Sequence, residues 1–227
     1  MKRVVVLGGS GALGRVIVRE LRAAGAHVFA SYLTREIAPA ERLVPFRVDL
    51  ADAAALHETV RALGPVDALV HAAAVPSTCT PPRFDALDEV DSDGFDRMMA
   101  INVKSALIAT RAVDMTVGNV VFIGSIDGVK GVPAPAPYAA SKAALCGLAT
   151  ALAKELGPRG TLVNVVAPGV LESGLSSLLP DRLRKEYLKH CARKRLGKHE
   201  EVASLVTFLA LENTYLDGRT VTVDGGL

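Results

Sequence analysis

Short β-branched runs alternate along this chain with longer stretches of helical period, and that alternation limits the fold more than any other feature. The runs Arg3 to Leu7, His27 to Ser31, Val44 to Val48, Asp67 to His71, Asn119 to Gly124, Thr161 to Ala167 and Arg219 to Val223 read as strands. Between them, Leu13 to Ala24, Ala53 to Leu63, Ser92 to Val113, Pro137 to Leu156, Asp181 to Ala192 and Glu200 to Leu211 read as helices. Strands separated by helices of about ten or more residues require βαβ crossovers. They predict an α/β fold, a parallel sheet apolar on both faces and covered by helices on each. The 227 residues fit that plan as one domain, 1–227, because size alone forces no split below roughly 250 residues. The Pro-rich pieces Pro76 to Pro82 and Pro133 to Pro137 read as loops near a site.

Composition excludes several classes. Half of the residues are hydrophobic, but no apolar run reaches the ~20 residues a membrane span needs, so no membrane partner is expected. The first strand-like run begins almost at Met1, which leaves no room for a secretory leader and makes a cytoplasmic address the expectation. Cys79, Cys146 and Cys191 are too few and too scattered for a disulfide framework or a zinc site, and no metal is expected. The net charge of +2 carries no nucleic-acid signal. One segment departs from that balance: Asp181 to Lys198 holds eight Lys or Arg residues against two acidic ones.

The first strand feeds directly into Gly8-Gly9-Ser10-Gly11-Ala12-Leu13-Gly14, which opens the first helix. Glycines there let a pyrophosphate approach backbone N–H groups at a helix N-terminus, so Gly8, Ser10, Gly11, Leu13 and Gly14 are candidate nucleotide contacts. Two registers are open: Gly9, Gly11 and Gly14 satisfy G-x-G-x-x-G, while Gly8, Gly11 and Gly14 satisfy G-x-x-G-x-x-G. An acidic residue ending the second strand would bind a ribose 2′-hydroxyl and repel a 2′-phosphate. Ser31-Tyr32-Leu33-Thr34-Arg35 has none, so Tyr32 and Arg35, with Arg15 nearby, favour NADP(H) over NAD(H). Asp49, closing the third strand, is either an adenine-edge contact or an ordinary helix N-terminal carboxylate.

Tyr138 and Lys142 stand four residues apart on one predicted helix, close enough to interact. A phenol near pKa ~10 holds its proton tightly, and a neighbouring ammonium is expected to stabilise the phenolate and lower that value. Ser125 follows the run Val120 to Gly124, at the C-terminal end of a central strand, where open α/β sheets bind ligands. Tyr138 can therefore protonate a carbonyl oxygen that Ser125 fixes.

With these residues in place, the chain resembles the short-chain dehydrogenase/reductase family over nearly its whole length. It is most similar to 3-oxoacyl-acyl-carrier-protein reductases, a likeness carried also by Pro168-Gly169, by Gly197 to Leu209, by Leu216-Asp217-Gly218 and by Val223-Asp224-Gly225-Gly226. The resemblance implies a Rossmann-type, doubly wound seven-stranded sheet of order 3-2-1-4-5-6-7 in three α/β/α layers. It also implies a nicotinamide cofactor and a catalytic set of Asn102, Ser125, Tyr138 and Lys142. Lys142 then holds the nicotinamide ribose and Asn102 anchors a water that relays protons. Asp49 and Leu50 fall near the adenine, Ala72 and Ala73 beside the adenosine, and Pro168 and Gly169 near the nicotinamide.

The sequence departs from the family pattern in two places. Leu7 and Ala12 replace a Thr and a Gly of the glycine motif. His71-Ala72-Ala73-Ala74 replaces Asn-Asn-Ala-Gly, which removes a side-chain hydrogen bond and a glycine; His71 itself reads as a hydrogen-bonded sheet residue.

In such a family the segment after Pro168-Gly169, here 170–198, is expected to act as a substrate lid. Leu171 and Leu175, with Leu178 and Leu179, would line an apolar acyl channel. The basic stretch beyond would attract an acidic carrier protein or a coenzyme A phosphate, a solvated helix face being the equal alternative. The expected reaction is NADPH-dependent reduction of a 3-oxoacyl thioester, on acyl-carrier protein or coenzyme A, in fatty-acid or polyketide-type biosynthesis. A dehydrogenase of a sugar, steroid or other small alcohol, and a non-catalytic nucleotide-binding scaffold or regulator, are the alternatives. A homotetramer, or a homodimer, is the assembly that the resemblance implies.

Overall fold

A computed structural model describes residues 1–79, 82–84 and 86–227. Thr80 and Pro81, within the loop expected at Pro76 to Pro82, and Asp85 lie outside the described residues. The strands are β1 (Arg3–Leu7), β2 (His27–Tyr32), β3 (Leu43–Arg47), β4 (Ala68–His71), β5 (Gly118–Ile123), β6 (Thr161–Pro168) and β7 (Thr220–Val223). They form one all-parallel sheet in the order β3-β2-β1-β4-β5-β6-β7, as expected. The helices are α1 (Ala12–Ala23), α2 (Ala53–Arg61), α3 (Ser92–Met99), α4 (Ser105–Ala112), α5 (Ala136–Leu156), α6 (Asp181–His190) and α7 (His199–Leu211).

The two-residue strand period divides the core between the two faces of the sheet. Val4 and Val6 point into the layer formed with Ile17, Val18 and Leu21 of α1 and Val202, Val206 and Leu209 of α7. Val5 and Leu7 point into the opposite layer, with Leu56 and Val60 of α2, Ala106 and Ala109 of α4, and Leu145 and Leu152 of α5. Both faces are dry, which is why β1, β4 and β5 are apolar without alternation. Leu209 is fully buried in the first layer. Leu209→Ala is expected to cost about 2–5 kcal/mol and lower Tm by roughly 5–15 °C, which thermal unfolding checks.

The stretch expected as one helix, Ser92 to Val113, is interrupted. Ala100–Lys104 is a π-helical turn between α3 and α4, and α4 ends at Ala112. Single π turns inside α-helices are frequent at functional sites, and this one carries Asn102. The helix expected at Asp181 to Ala192 is shorter too, ending at His190 before Cys191 turns to extended backbone.

Candidate active site

The C-terminal ends of the central strands open on a cavity of about 420 Å3, on the side of an open α/β sheet where ligands bind. At one end lies the glycine loop. Gly8 has φ +81°, and a Cβ there would stand 2.6 Å from the Ala73 nitrogen. A Cβ on Gly14 would lie 2.1 Å from the Gly8 carbonyl oxygen, while Gly11 N–H donates to that same oxygen at 3.0 Å. Gly9 does another job: it packs against Ala30, whose methyl a Cβ would meet at 2.8 Å, and it does not line the cavity. The register is therefore Gly8, Gly11 and Gly14.

Gly11 caps α1 without a side-chain bond, and the first turn of α1 holds no acidic residue. Its free N–H groups and positive dipole end face a cavity also lined by Ser10 and Leu13. That is a cradle that a Cβ would fill and a set of donors suited to an anion, so these residues fit a dinucleotide pyrophosphate.

Most residues assigned to the nucleotide reach this cavity: Tyr32, Asp49, Leu50, Ala72, Ala73, Pro168 and Gly169 all line it. Ser31 adds a hydroxyl that accepts the Gly8 N–H at 2.9 Å. Arg35 lies three residues beyond the end of β2, is exposed and is not among the residues lining the cavity. Arg15 is likewise exposed and off the cavity wall. Asp49 spends one carboxylate oxygen on the Ala51 N–H, at 2.9 Å.

Ser125, Tyr138 and Lys142 come together on one wall of the cavity. Ser125 follows β5; Tyr138 and Lys142 share a face in the first turns of α5. Lys142 is buried, its Nζ donating to the Ile123 carbonyl at 2.9 Å and lying 5.6 Å from the centre of the Tyr138 ring. Burial brings its ammonium down to about 8, against the opposing charge of Asp127.

The expectation that Lys142 lowers the Tyr138 pKa is overturned. Burial pushes the phenol above its ordinary value, the Asp127 carboxylate adds to the rise, and only a hydrogen bond with Ser125 opposes them. The phenol is half-buried beside a carboxylate that sequence spacing left out of account. Desolvation of a group that would become charged outweighs a cation whose own proton is directed at Ile123.

Asn102 stands elsewhere. It is fully buried and is not among the residues lining the cavity. Its carboxamide accepts from Val75 N–H at 2.7 Å and donates to the Val75 carbonyl and to Ser141 Oγ, each at 3.0 Å. Ser141 Oγ donates in turn to the Tyr138 carbonyl at 2.8 Å. The side chain thus ties the loop after β4 to the turn of α5 that carries Tyr138, a task beyond that of a neutral helix-interior Asn.

His71 supplies a hydrogen bond that its replacement of Asn was expected to lose. Its Nε2 lies 2.6 Å from Ser105 Oγ, and burial drives its pKa down to about 3, so it is a neutral sheet residue. Leu171, Leu175, Leu178 and Leu179 all line the mouth of the cavity.

Asp127 went unrecognised in the sequence. It lies in the 3-10 turn Ile126–Gly128 and lines the cavity. Ser125 Oγ donates to its Oδ2 at 3.0 Å. The only available signal was a carboxylate two residues past a strand-end serine, a spacing common in simple Ser turns.

A nucleotide cradle, a Ser-Tyr-Lys wall and an apolar mouth define a Rossmann-fold oxidoreductase site. The enoyl-(acyl carrier protein) reductase family model matches residues 9–227. The 3-oxoacyl-[acyl-carrier-protein] reductase FabG of Salmonella typhimurium is 33% identical, covering 100% of this chain and 97% of that protein. Dehydrogenase/reductase SDR family member 4 of Sus scrofa is 38% identical over 72% of this chain and 60% of its own length. A short-chain dehydrogenase from Burkholderia cenocepacia, solved in complex with NADP, superposes with a TM-score of 0.86 at 31% identity, covering 99% of this chain and 97% of that one. The chain belongs to the short-chain dehydrogenase/reductase family of NAD(P)-dependent oxidoreductases. Among the described residues, no helix is long and apolar enough to cross a membrane.

Proposed function

We propose that this chain is an NADP(H)-dependent ketoreductase. It reduces a 3-oxoacyl thioester, carried by acyl-carrier protein or coenzyme A, to the 3-hydroxyacyl form in fatty-acid or polyketide-type biosynthesis. The observation that carries the reading is that Ser125, Tyr138 and Lys142 share one wall of a cavity whose other end is the uncapped start of α1. The backbone N–H groups of α1 would hold the pyrophosphate, and the carboxylate-free end of β2 suits a 2′-phosphate. Lys142, Pro168 and Gly169 are assigned to the nicotinamide riboside.

When bound, the nicotinamide supplies a hydride to the carbonyl carbon. Ser125 Oγ orients the substrate oxygen, and Tyr138 Oη delivers a proton to it. With its pKa raised, Tyr138 rests fully protonated at neutral pH, the form that carbonyl reduction needs. Lys142, held near 8, exchanges protons readily in the same range and returns one to the wall.

The four leucines at the mouth suit an acyl chain, with residues 170–198 acting as the lid. Arg182, Lys185 and Lys189 are exposed on α6, Lys189 paired with Glu186, and leave a net positive surface for an acidic carrier. A homotetramer in the cytoplasm is the setting that this reading implies. The likeness to FabG supports the substrate class.

Purified protein is expected to oxidise NADPH when given acetoacetyl thioesters of coenzyme A or acyl-carrier protein. If no 3-oxoacyl thioester of any length consumes NADPH, the substrate assignment is wrong. A second reading, reduction of another small ketone, is favoured by the Sus scrofa relative, which is the more identical over the part it matches and whose name mentions no acyl carrier. Turnover confined to the small ketones and secondary alcohols of a substrate panel would support it.

A further inference from the structure

The reaction just described leaves one carboxyl group in the site without a task. Asp127 lines the cavity, and Ser125 Oγ donates to its Oδ2 at 3.0 Å while accepting the Asp127 N–H at 3.3 Å. Its place is fixed from behind. The turn Ile126–Gly128 lies so close to α5 that a Cβ on Gly128 would stand 2.5 Å from the Lys142 carbonyl carbon and 2.6 Å from the Ala143 nitrogen.

Ser125 has one hydroxyl proton to give. A carbonyl oxygen offers only lone pairs and must receive that proton; an alcohol brings its own and can donate to Ser125 Oγ. While Asp127 is ionised, the Ser125 proton is committed to the carboxylate and is lost to a carbonyl substrate. Once Asp127 is protonated, the carboxyl donates to Ser125 Oγ, and the hydroxyl proton turns toward the substrate.

We propose that Asp127 is a positioning residue that sets which substrate form Ser125 accepts: its carboxylate favours the alcohol, its protonated form the carbonyl. The inference rests on the reading of Ser125 as the group that meets the substrate oxygen. Burial raises the Asp127 pKa, opposed by the Ser125 hydrogen bond and by Lys142, so the exchange falls above the ordinary carboxylate range.

Among the described residues, the groups that act on Asp127 are few. From α5 come Tyr138 and Lys142, and from its own turn Ser125. The β6 strand, also in contact with that turn, contains no titratable residue. Tyr187 and Cys191, which pack on Ile126, direct their protons at backbone carbonyls of the C-terminal segment.

The test compares, across pH, the dissociation constants of a carbonyl compound on the NADP+-bound protein and of the matching alcohol on the NADPH-bound protein, complexes in which no hydride can move, in the wild type and in Asp127→Asn, whose amide donates to Ser125 at every pH. In the wild type, carbonyl binding is expected to tighten as pH falls through the Asp127 titration. In Asp127→Asn that limb disappears, and the preference for carbonyl over alcohol at neutral pH rises about tenfold, the effect of one charge-assisted hydrogen bond. The same acid limb in both proteins would overturn the proposal.

A titration of the Asp127 carboxyl, followed by carbon-detected NMR in the NADPH-bound protein, needs no substrate and no Asp127 variant. Ser125→Ala removes the hydrogen bond that holds the Asp127 pKa down, so the midpoint is expected to move upward; an unmoved midpoint also overturns the coupling. If the midpoint moves while no carbonyl compound is turned over, the proposed function fails and the coupling stands.

Discussion

Tyr138→Phe is expected to lower kcat for carbonyl reduction by about 10³-fold, within the range that loss of a general acid produces, and to leave NADPH binding unchanged. The substitution keeps the ring that Lys142 lies against and removes only the oxygen that bears the transferable proton. Because burial and Asp127 both raise the phenol pKa, Tyr138 stands protonated through neutral pH. Oxidation of the alcohol needs the phenolate, so its rate is expected to climb with pH into the alkaline range, an ascent that Tyr138→Phe abolishes. Stopped-flow and steady-state measurement of NADPH consumption, with NADPH affinity from fluorescence titration, separates the two effects. Retention of more than about a tenth of the wild-type kcat would exclude Tyr138 as the proton donor, since even weak general acids supply ~10².

The second large effect is expected at Gly14. A methyl at that position would stand 2.1 Å from the Gly8 carbonyl oxygen and 2.9 Å from its carbon. Neither atom is the end of a flexible side chain, so the whole turn between β1 and α1 must move. Gly14→Ala is expected to weaken NADPH binding by at least about 100-fold, since ~1 Å of misplacement at a binding loop has that scale of consequence. It should also cost on the order of 3 kcal/mol or more through overpacking, a fall in Tm of roughly 6–12 °C. A graded series makes the argument strict. Gly11→Ala meets the same oxygen at 3.3 Å and Gly131→Ala meets nothing within 4 Å, so the loss should follow the order Gly14, Gly11, Gly131.

The sheet order and the Ser-Tyr-Lys wall were legible because both rest on local pattern. Strand runs buried on both faces differ sharply from helical stretches, and a four-residue helical spacing fixes a shared face wherever the helix lies. Ser125 was legible from its place one residue past an apolar run. What escaped has a common cause, which is that it depends on where a chain segment turns. The π turn around Asn102 is invisible to a 3.6-residue period, because one π turn shifts the phase of a helix without breaking its apolar face. The direction of the Tyr138 shift was missed because desolvation is a property of the assembled wall, and because Asp127 enters it from a turn whose packing on α5 only three dimensions display.

The packing of α1 against α7 sets an order for synthesis on the ribosome. The layer that Val4, Val6, Ile17 and Leu21 share is completed by Val202, Val206 and Leu209, residues translated almost a whole chain later. At ~5–20 residues per second, a nascent chain carries the apolar side of α1 uncovered for on the order of ten seconds or longer. The opposite layer, supplied by α2, α4, α5 and Val163 and Val165 of β6, is complete by Val165 and can close first. A ribosome stalled before α7 therefore displays a half-covered sheet beside the finished Ser-Tyr-Lys wall, a species that chaperones that bind exposed apolar surface would hold in preference to the released protein.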